Sequence, residues 1–338
     1  MVFIMVSKKT NSKPTVVDLF CGAGGLSEGF RMAGYKVILG IDFDRHSIDT
    51  FKKNNKGTKV INDDIKKVDI ENIKKLIGNK HVDVVVGGPP CQGFSVAGSR
   101  DPNDPRNSLF MEFVRIVHGL QPKWVVMENV PGILTMKTAR GEYVKDILKK
   151  EFERSGYKVK SQILLASDYG VPEKRRRVFF IATRTQNSIV FPLPTHSSKP
   201  KKLLDGTVQK KWIGVGEVLL KEDQVDKRYF HTEKMIAGFK RRKEENSKSG
   251  NGFGWQILKM EEPSYTISAR YWKDGSDAIV RYSDDKVRML TEREAARIQS
   301  FPDDFIFVGP RKEIYRQIGN AVPPLLAKAL AEQVKKTL

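Results

Sequence analysis

Two cysteines and five histidines in 338 residues leave little material for disulfides or for a cysteine-based zinc site. A reducing, intracellular setting follows. The histidines have no ligand spacing such as HExxH, so no metal is expected. Long apolar runs are missing too. None approaches the ~20 residues of a membrane span. The opening stretch MVFIMVSKKTNSK is apolar over too few residues for a signal peptide and has no small-residue cleavage pattern. Residues 1–13 read as a disordered extension. There is no internal repeat and no low-complexity segment. Acidic charge is the scarcer sign: 40 Asp and Glu face 60 Lys and Arg, a net +20. The first reading of that excess is a polyanionic partner, and the second is a solvated lysine-rich surface.

What is present centres on residues 82–95, VDVVVGGPPCQGFS. The β-branched run Val84 to Val86 reads as a short buried strand, bounded by Gly87 and Gly88. Pro89 and Pro90 end it, because proline fixes φ and cannot donate to a ladder. Cys91 then stands at the carboxyl end of a strand, where an open α/β sheet places catalytic groups. A small buried hydrophobe is the competing reading.

Strands are predicted at 15–20, 36–42, 60–62, 82–86 and 124–127, separated by helical segments, with further strands near 158–165 and 177–183. This alternation predicts an α/β, doubly wound, mostly parallel, Rossmann-like sheet. The pattern breaks near 185. Residues 186–285 read as a second, smaller, irregular domain. Helical patterning returns at 291–299 and 323–336, and these pieces are expected to dock back. The first domain is therefore predicted to be discontinuous, 14–185 with 286–338.

DLFCGAGG, residues 18–25, sets glycines between a strand and a helix, so that backbone N–H groups can approach a ligand. The order is not the dinucleotide G-x-G-x-x-G. Asp42 follows about twenty residues on, at a strand end, where a carboxylate can accept ribose hydroxyls. Asp64 at the next strand end could accept from an adenine amino group. Helix N-capping is the alternative for both. A nucleoside pocket is favoured, with a nicotinamide cofactor still open. Cys21, inside the turn, reads as packing. Glu128, after the fifth strand, would stand beside Cys91, where it suits protonating a ring nitrogen. Arg175 and Arg177 alternate on one face of an entering strand.

Together these residues resemble the DNA (cytosine-5) methyltransferases, over about 240 residues and in the family's order. The motifs are DLFCGAGG, GGPPCQGFS, ENV (128–130), PEKRRR (172–177), REAARIQSFP (293–302) and YRQIGNAV (315–322). Six in order are far more specific than one tripeptide. The resemblance implies an S-adenosylmethionine-dependent enzyme that releases S-adenosylhomocysteine and acts on double-stranded DNA. It also implies a Rossmann-like methyltransferase sheet with a target-recognition domain at 186–285. Cys91 would add its thiolate to carbon 6 of cytosine, and the enamine so formed attacks through carbon 5. Glu128 would hydrogen-bond ring nitrogen 3 and the exocyclic amine, and Arg177 with Arg175 would hold the carbonyl oxygen and the neighbouring phosphate.

The resemblance implies, for the cofactor, the turn residues Asp18, Phe20, Gly22, Ala23, Gly24 and Gly25. Asp42 would take the ribose, and Phe20 and Phe43 would flank the adenine with Asp64 and Ile65 at its edge. Pro90, Leu109, Asn320 and Val322 would complete the site. For DNA it implies Gln92, Ser95 and Arg100 in a lid over 92–106, and the pair Thr266-Ile267; Arg270 and Tyr271 follow directly. Two positions depart from the pattern. Asp42 stands where many members have Glu, and Glu173 stands where Gln is usual.

The recognition window carries only +4, against +16 elsewhere, so most phosphate-binding potential lies on the catalytic part. The expected setting is prokaryotic, cytoplasmic and nucleoid-associated, with a monomer serving a restriction-modification system beside a separate cognate endonuclease. A transfer-RNA methyltransferase of the same family carries a Cys-Phe-Thr signature in its second domain, and this chain has no third cysteine for it. A non-catalytic DNA-binding paralogue would have no use for Cys91, Glu128 and Arg177. A dehydrogenase does not explain Cys91 and Glu128 with the closing motifs.

Overall fold

The structure is a computed structural model and describes residues 12–90, 109–138, 141–203, 206–248 and 255–338. Cys91, Gln92, Ser95 and Arg100 lie outside the described residues. The sheet is wound about β1 (Thr15–Leu19), which pairs in parallel with β2 (Lys36–Asp42) on one side and β4 (Val84–Gly87) on the other. β3 (Lys59–Asn62) lies outside β2. β5 (Trp124–Asn129) follows β4, then β7 (Arg176–Thr183), with β6 (Lys158–Leu165) at the edge. The seven-stranded order is β3-β2-β1-β4-β5-β7-β6, and β7 runs antiparallel to both neighbours. The order reverses between β1 and β4, which opens a crevice at their carboxyl ends.

Period-two alternation along β1 decides what each face covers. Val17 and Leu19 enter the core shared with α3 (Ile70–Ile77), α4 (Leu109–Leu120) and α5 (Val144–Arg154). Val16 enters the opposite core, with α1 (Gly25–Met32), α2 (Arg45–Asn54) and α9 (Pro324–Lys335). α9 presents Leu326, Ala327, Leu330, Ala331 and Val334 to that core at helical spacing. It lies close on α1: a Cβ at Gly29 would come within 2.4 Å of the Ala327 methyl. The terminal helix thus packs against α1 and the sheet.

Helix α7 (Glu292–Ile298) does not. With α8 (Arg311–Asn320) it packs into a third core that runs from Val215 through Tyr271 and Leu290 to Ile318. The hairpin β10 (Ile279–Arg281) with β11 (Val287–Met289) spans the predicted boundary at 285. Burial explains the difference. Ala295, Ala296 and Ile298 are buried and find their apolar partners in this core, whereas the sequence pattern shows only that the helix has an apolar face. The remaining elements of this region are the two-residue strands β8 (His196–Ser197) and β9 (Lys210–Lys211) and the helix α6 (Glu233–Lys248).

The reversed strand also shapes the path between the lobes. β7 ends at Thr183, opposite the start of β5, far from the crevice. From there the chain climbs back along the outside of the sheet. Asn187 Nδ2 donates to the Thr337 carbonyl at 2.7 Å, the Tyr169 hydroxyl to that of Pro192 at 2.9 Å, and the Thr195 N–H to that of Asp168 at 2.9 Å. Among the described residues, no helix is long and apolar enough to cross a membrane.

Candidate active site

The glycine turn after β1 needs left-handed backbone at Phe20, Gly22 and Gly24, with φ of 56°, 53° and 101°. β2 holds this turn from the side. Cys21 N–H donates to the Ile41 carbonyl at 3.0 Å, and Gly22 N–H to Asp42 Oδ2 at 2.8 Å. Asp44 N–H donates to Asp42 Oδ1 at 2.9 Å. Each carboxylate oxygen of Asp42 therefore has a backbone partner and one further lone-pair direction. Gly25 is required for another reason: a Cβ there would meet the Val322 carbonyl at 2.2 Å. The closing segment at 321–322 is pressed onto the turn. At Gly22 the added atom would find nothing within 4 Å.

Along the rim of the sheet, Phe43 is 70% exposed. A small pocket of about 40 Å³ lies between it and Phe20, and Ile65, Pro90 and Leu109 also line it. Asp64 stands at this pocket and also caps the short helical turn 65–67, accepting from Lys66 N–H at 3.0 Å. The capping reading of Asp64 is met. The pocket is an apolar slot between two aromatic rings, edged by the carboxylates of Asp42, Asp63 and Asp64.

The slot joins a larger cleft of about 500 Å³, whose walls include Gly22, Ala23, Pro90, Glu128, Arg177 and Asn320. Asn129 Nδ2 donates to the Pro89 carbonyl at 3.0 Å, and Gly88 leaves room for Glu128 Oε2. The end of β5 is thereby fastened to the two prolines that precede Cys91 in the sequence. Because β7 is reversed, its first residues lie at the same edge as the last residues of β4 and β5. Arg177 Nε reaches Glu128 Oε1 at 2.9 Å. Burial raises the Glu128 carboxyl above the usual carboxylate range, against the pull of Arg177 and Arg175.

Several expected residues are placed otherwise. Asp18 is fully buried under α1, accepts from the Ser27 hydroxyl at 2.6 Å, and does not line the cleft. Burial pushes its carboxyl up to about 7. Tyr271, expected at DNA, is 1% exposed; its hydroxyl donates to the Ala278 carbonyl and accepts from Leu290 N–H. Arg175, expected at the substrate, lines the cleft but is only 1% exposed, and its guanidinium bonds main-chain carbonyls. Arg270 and Thr266 are exposed and line the cleft, and Ile267 lines it from a buried position. Cys21 is buried, and burial with Asp42 and Asp18 lifts its thiol well above the ordinary value, in keeping with packing. Sequence reasoning passed over Arg316 on α8. Its guanidinium lines the cleft and pairs with Asp44 at 2.7 Å and Glu313 at 2.5 Å. The signal was there, inside YRQIGNAV.

Comparison with known proteins agrees with this geometry. The family model described as C-5 cytosine-specific DNA methylase matches residues 14–336. The Type II methyltransferase M.DdeI of Desulfomicrobium norvegicum is 39% identical, over 94% of this chain and 88% of its own. The Type II methyltransferase M1.HphI of Haemophilus parahaemolyticus is 38% identical, over 95% and 87%. Among solved structures, a putative prophage-encoded DNA modification methyltransferase (E. coli) superposes with a TM-score of 0.72 at 27% identity, covering 96% of this chain and 99% of that one. The Entamoeba histolytica methyltransferase EhMeth shares the fold, with a TM-score of 0.75 at 19% identity and the same coverage. With the motifs in order, the cleft assembled and the match running nearly end to end, the chain belongs to the C-5 cytosine-specific DNA methylases.

Proposed function

We propose that this DNA cytosine-5 methyltransferase works on a cytosine taken out of the duplex, with Cys91 as nucleophile and S-adenosylmethionine as methyl donor. The observation that carries this reading is the convergence of Glu128, Arg177 and the glycine turn on one cleft, directly beside the two prolines that precede Cys91. Carbon 5 of cytosine is a poor nucleophile. Addition of the Cys91 thiolate to carbon 6 makes the ring an enamine, and carbon 5 becomes reactive. Glu128, whose carboxyl burial raises above the usual range, hydrogen-bonds ring nitrogen 3 and the exocyclic amine and draws electrons into the ring. Arg177 releases part of its hold on Glu128 to meet the carbonyl oxygen. When bound, S-adenosylmethionine supplies an activated methyl group. Loss of the carbon-5 proton then expels Cys91.

Phe20 and Phe43 hold the adenine between them, with Asp64 and Ile65 at its edge. Asp42 meets the ribose with the lone pairs its backbone bonds leave, Leu109 flanks the adenine slot and not the methionine end expected of it, and Asn320 and Val322 close the methionine end. A target carbon inside a stacked duplex is out of reach, so the base is flipped. Residues 186–285, packed with α7 and α8, serve as the recognition lobe, and Thr266 and Arg270 face the DNA. The chain acts as a monomer in the cytoplasm and protects cellular DNA from a cognate endonuclease.

Bisulfite sequencing of DNA from cells expressing the protein tests this. Methylated carbon 5 at one short sequence is expected, and none with Cys91→Ser, which should still bind DNA and S-adenosylhomocysteine. Absence of any protected cytosine, or full activity of Cys91→Ser, would overturn the reading.

A further inference from the structure

Arg175 is 1% exposed, and among the described residues it forms no ion pair with Glu128, whose partner is Arg177. Arg175 Nη2 donates to the Gly319 carbonyl at 2.8 Å, and its Nη1 reaches towards the Ile267 carbonyl at 3.4 Å. Its Nε has no hydrogen-bond partner, so burial is not offset by a full set of contacts. Burial lowers its pKa only to about 10, so the guanidinium is charged at neutral pH.

The two carbonyls belong to different segments of the cleft wall. Gly319 precedes Asn320 and Val322 in the segment that presses on the glycine turn. Ile267 follows Thr266 in the recognition lobe. These segments touch directly: a Cβ at Gly319 would come within 2.5 Å of the backbone of Ser268 and Ala269. Glu173 secures the same point, accepting from Ile267 N–H at 2.6 Å. Next to it, Lys174 N–H donates to the Ser264 carbonyl at 2.8 Å, and the Thr266 hydroxyl to the Lys174 carbonyl at 3.1 Å. Residues 172–175 thus fasten three things at one place: the recognition segment, the closing segment, and the strand that carries Arg177.

We propose that Arg175 is a positioning residue that joins the cofactor side of the cleft to the DNA side, so that ordering one side orders the other. It does not reach the reacting ring. The inference rests on the reading above that the cleft takes S-adenosylmethionine beside a flipped cytosine. A charge-assisted fork spanning two carbonyls transmits displacement because each bond is directional and the surroundings are close-packed. Lysine keeps the charge and loses the fork.

Amide hydrogen exchange on the whole chain, with and without S-adenosylhomocysteine, tests the link without DNA or turnover. In the wild type the ligand should slow exchange at 20–25 and also at 264–270, each several-fold. With Arg175→Lys the protection at 20–25 should remain and that at 264–270 should vanish. Gly319→Ala parts the same segments without altering the buried charge, and should give the same split if Arg175→Lys fails to fold. In steady-state assays on an unmethylated plasmid, both variants should raise KM for cofactor and for DNA together, while kcat stays within about twofold. Protection at 264–270 that survives in both variants overturns the proposal. So does a large fall in kcat with both KM values unchanged, which would put Arg175 at the ring. Absence of any protection at 20–25 in the wild type would sink the cofactor reading instead, and the link with it.

Discussion

Arg177 Nε lies 2.9 Å from Glu128 Oε1, with the two side chains only 15% and 13% exposed. The pair joins the last turn of a parallel strand to the first turn of a reversed one. Burial raises the Glu128 pKa more than the arginines lower it. The protonated carboxyl is therefore the form present up to a higher pH than for an ordinary glutamate. If the reaction needs that proton, kcat/KM should fall as pH rises through the raised value. Glu128→Gln should lower kcat by about 10²–10⁴-fold and remove that limb of the profile, with DNA affinity nearly unchanged. A mutant that keeps the limb would assign it to another group.

Two glycines of the same turn should respond differently to alanine. At Gly25 the new Cβ would sit 2.2 Å from the Val322 carbonyl, a backbone atom that cannot swing aside. The loss there should lie at or beyond the top of the ~1–3 kcal/mol of ordinary overpacking. At Gly22 there is open space but a φ of 53°, so the change should cost only about 1–2 kcal/mol of backbone strain. Denaturant unfolding of both variants gives the comparison.

In the third core, Arg288 and Glu294 form a fully buried two-pronged ion pair, with both contacts at 2.8 Å. Arg288→Met strands the carboxylate and should cost about 3–5 kcal/mol. Adding Glu294→Gln should restore part of that. Glutamine carries no charge and keeps an acceptor for one of Leu220 N–H and Thr291 N–H, which use different carboxylate oxygens, so the recovery should be partial. Additive losses in the double variant would contradict this account.

Asp18 makes stability depend on pH. Burial pushes its carboxyl up to about 7 in the folded protein, from 3.8 for an ordinary aspartate. A raised folded value means that its contribution is fully present below about 4 and is lost as pH climbs towards 7. The span corresponds to at most about 4 kcal/mol. Asp18→Asn, which can still accept from Ser27, should flatten that part of the melting-temperature profile. An unchanged slope would place the titration elsewhere.

Most of the sheet is legible in the sequence because its strands are buried on both faces and read as unbroken apolar runs. Val84 to Val86 and Trp124 to Met127 are the plainest. The glycine turn is legible as well, since a strand-to-helix turn with left-handed backbone leaves its glycines in view. What escapes is partnership across the chain. Nothing local in YSDDKVRML says that β11 pairs with β10, or that Ala295 and Ile298 face Tyr271 and Tyr315 and not the sheet. Asp18, Tyr271 and Arg175 show the same limit from another side. A motif tells which residues are required, and only burial tells whether they meet a ligand or hold the residues that do.

The climb from Thr183 to Thr195 has a bearing on how such enzymes could exchange specificities. The reversed strand delivers the chain to the wrong end of the sheet, and this strap returns it, pinned at Asn187, Pro192 and Thr195. Its length is set by the height of the sheet and owes nothing to the DNA sequence recognised. A recombination breakpoint after the last pin would leave the strap with its own sheet and free everything downstream to vary. Because α7 and α8 share one core with residues 215–290, the far breakpoint falls beyond α8 and not at 285. A foreign segment would then arrive with its core whole, and with both carbonyls that Arg175 contacts.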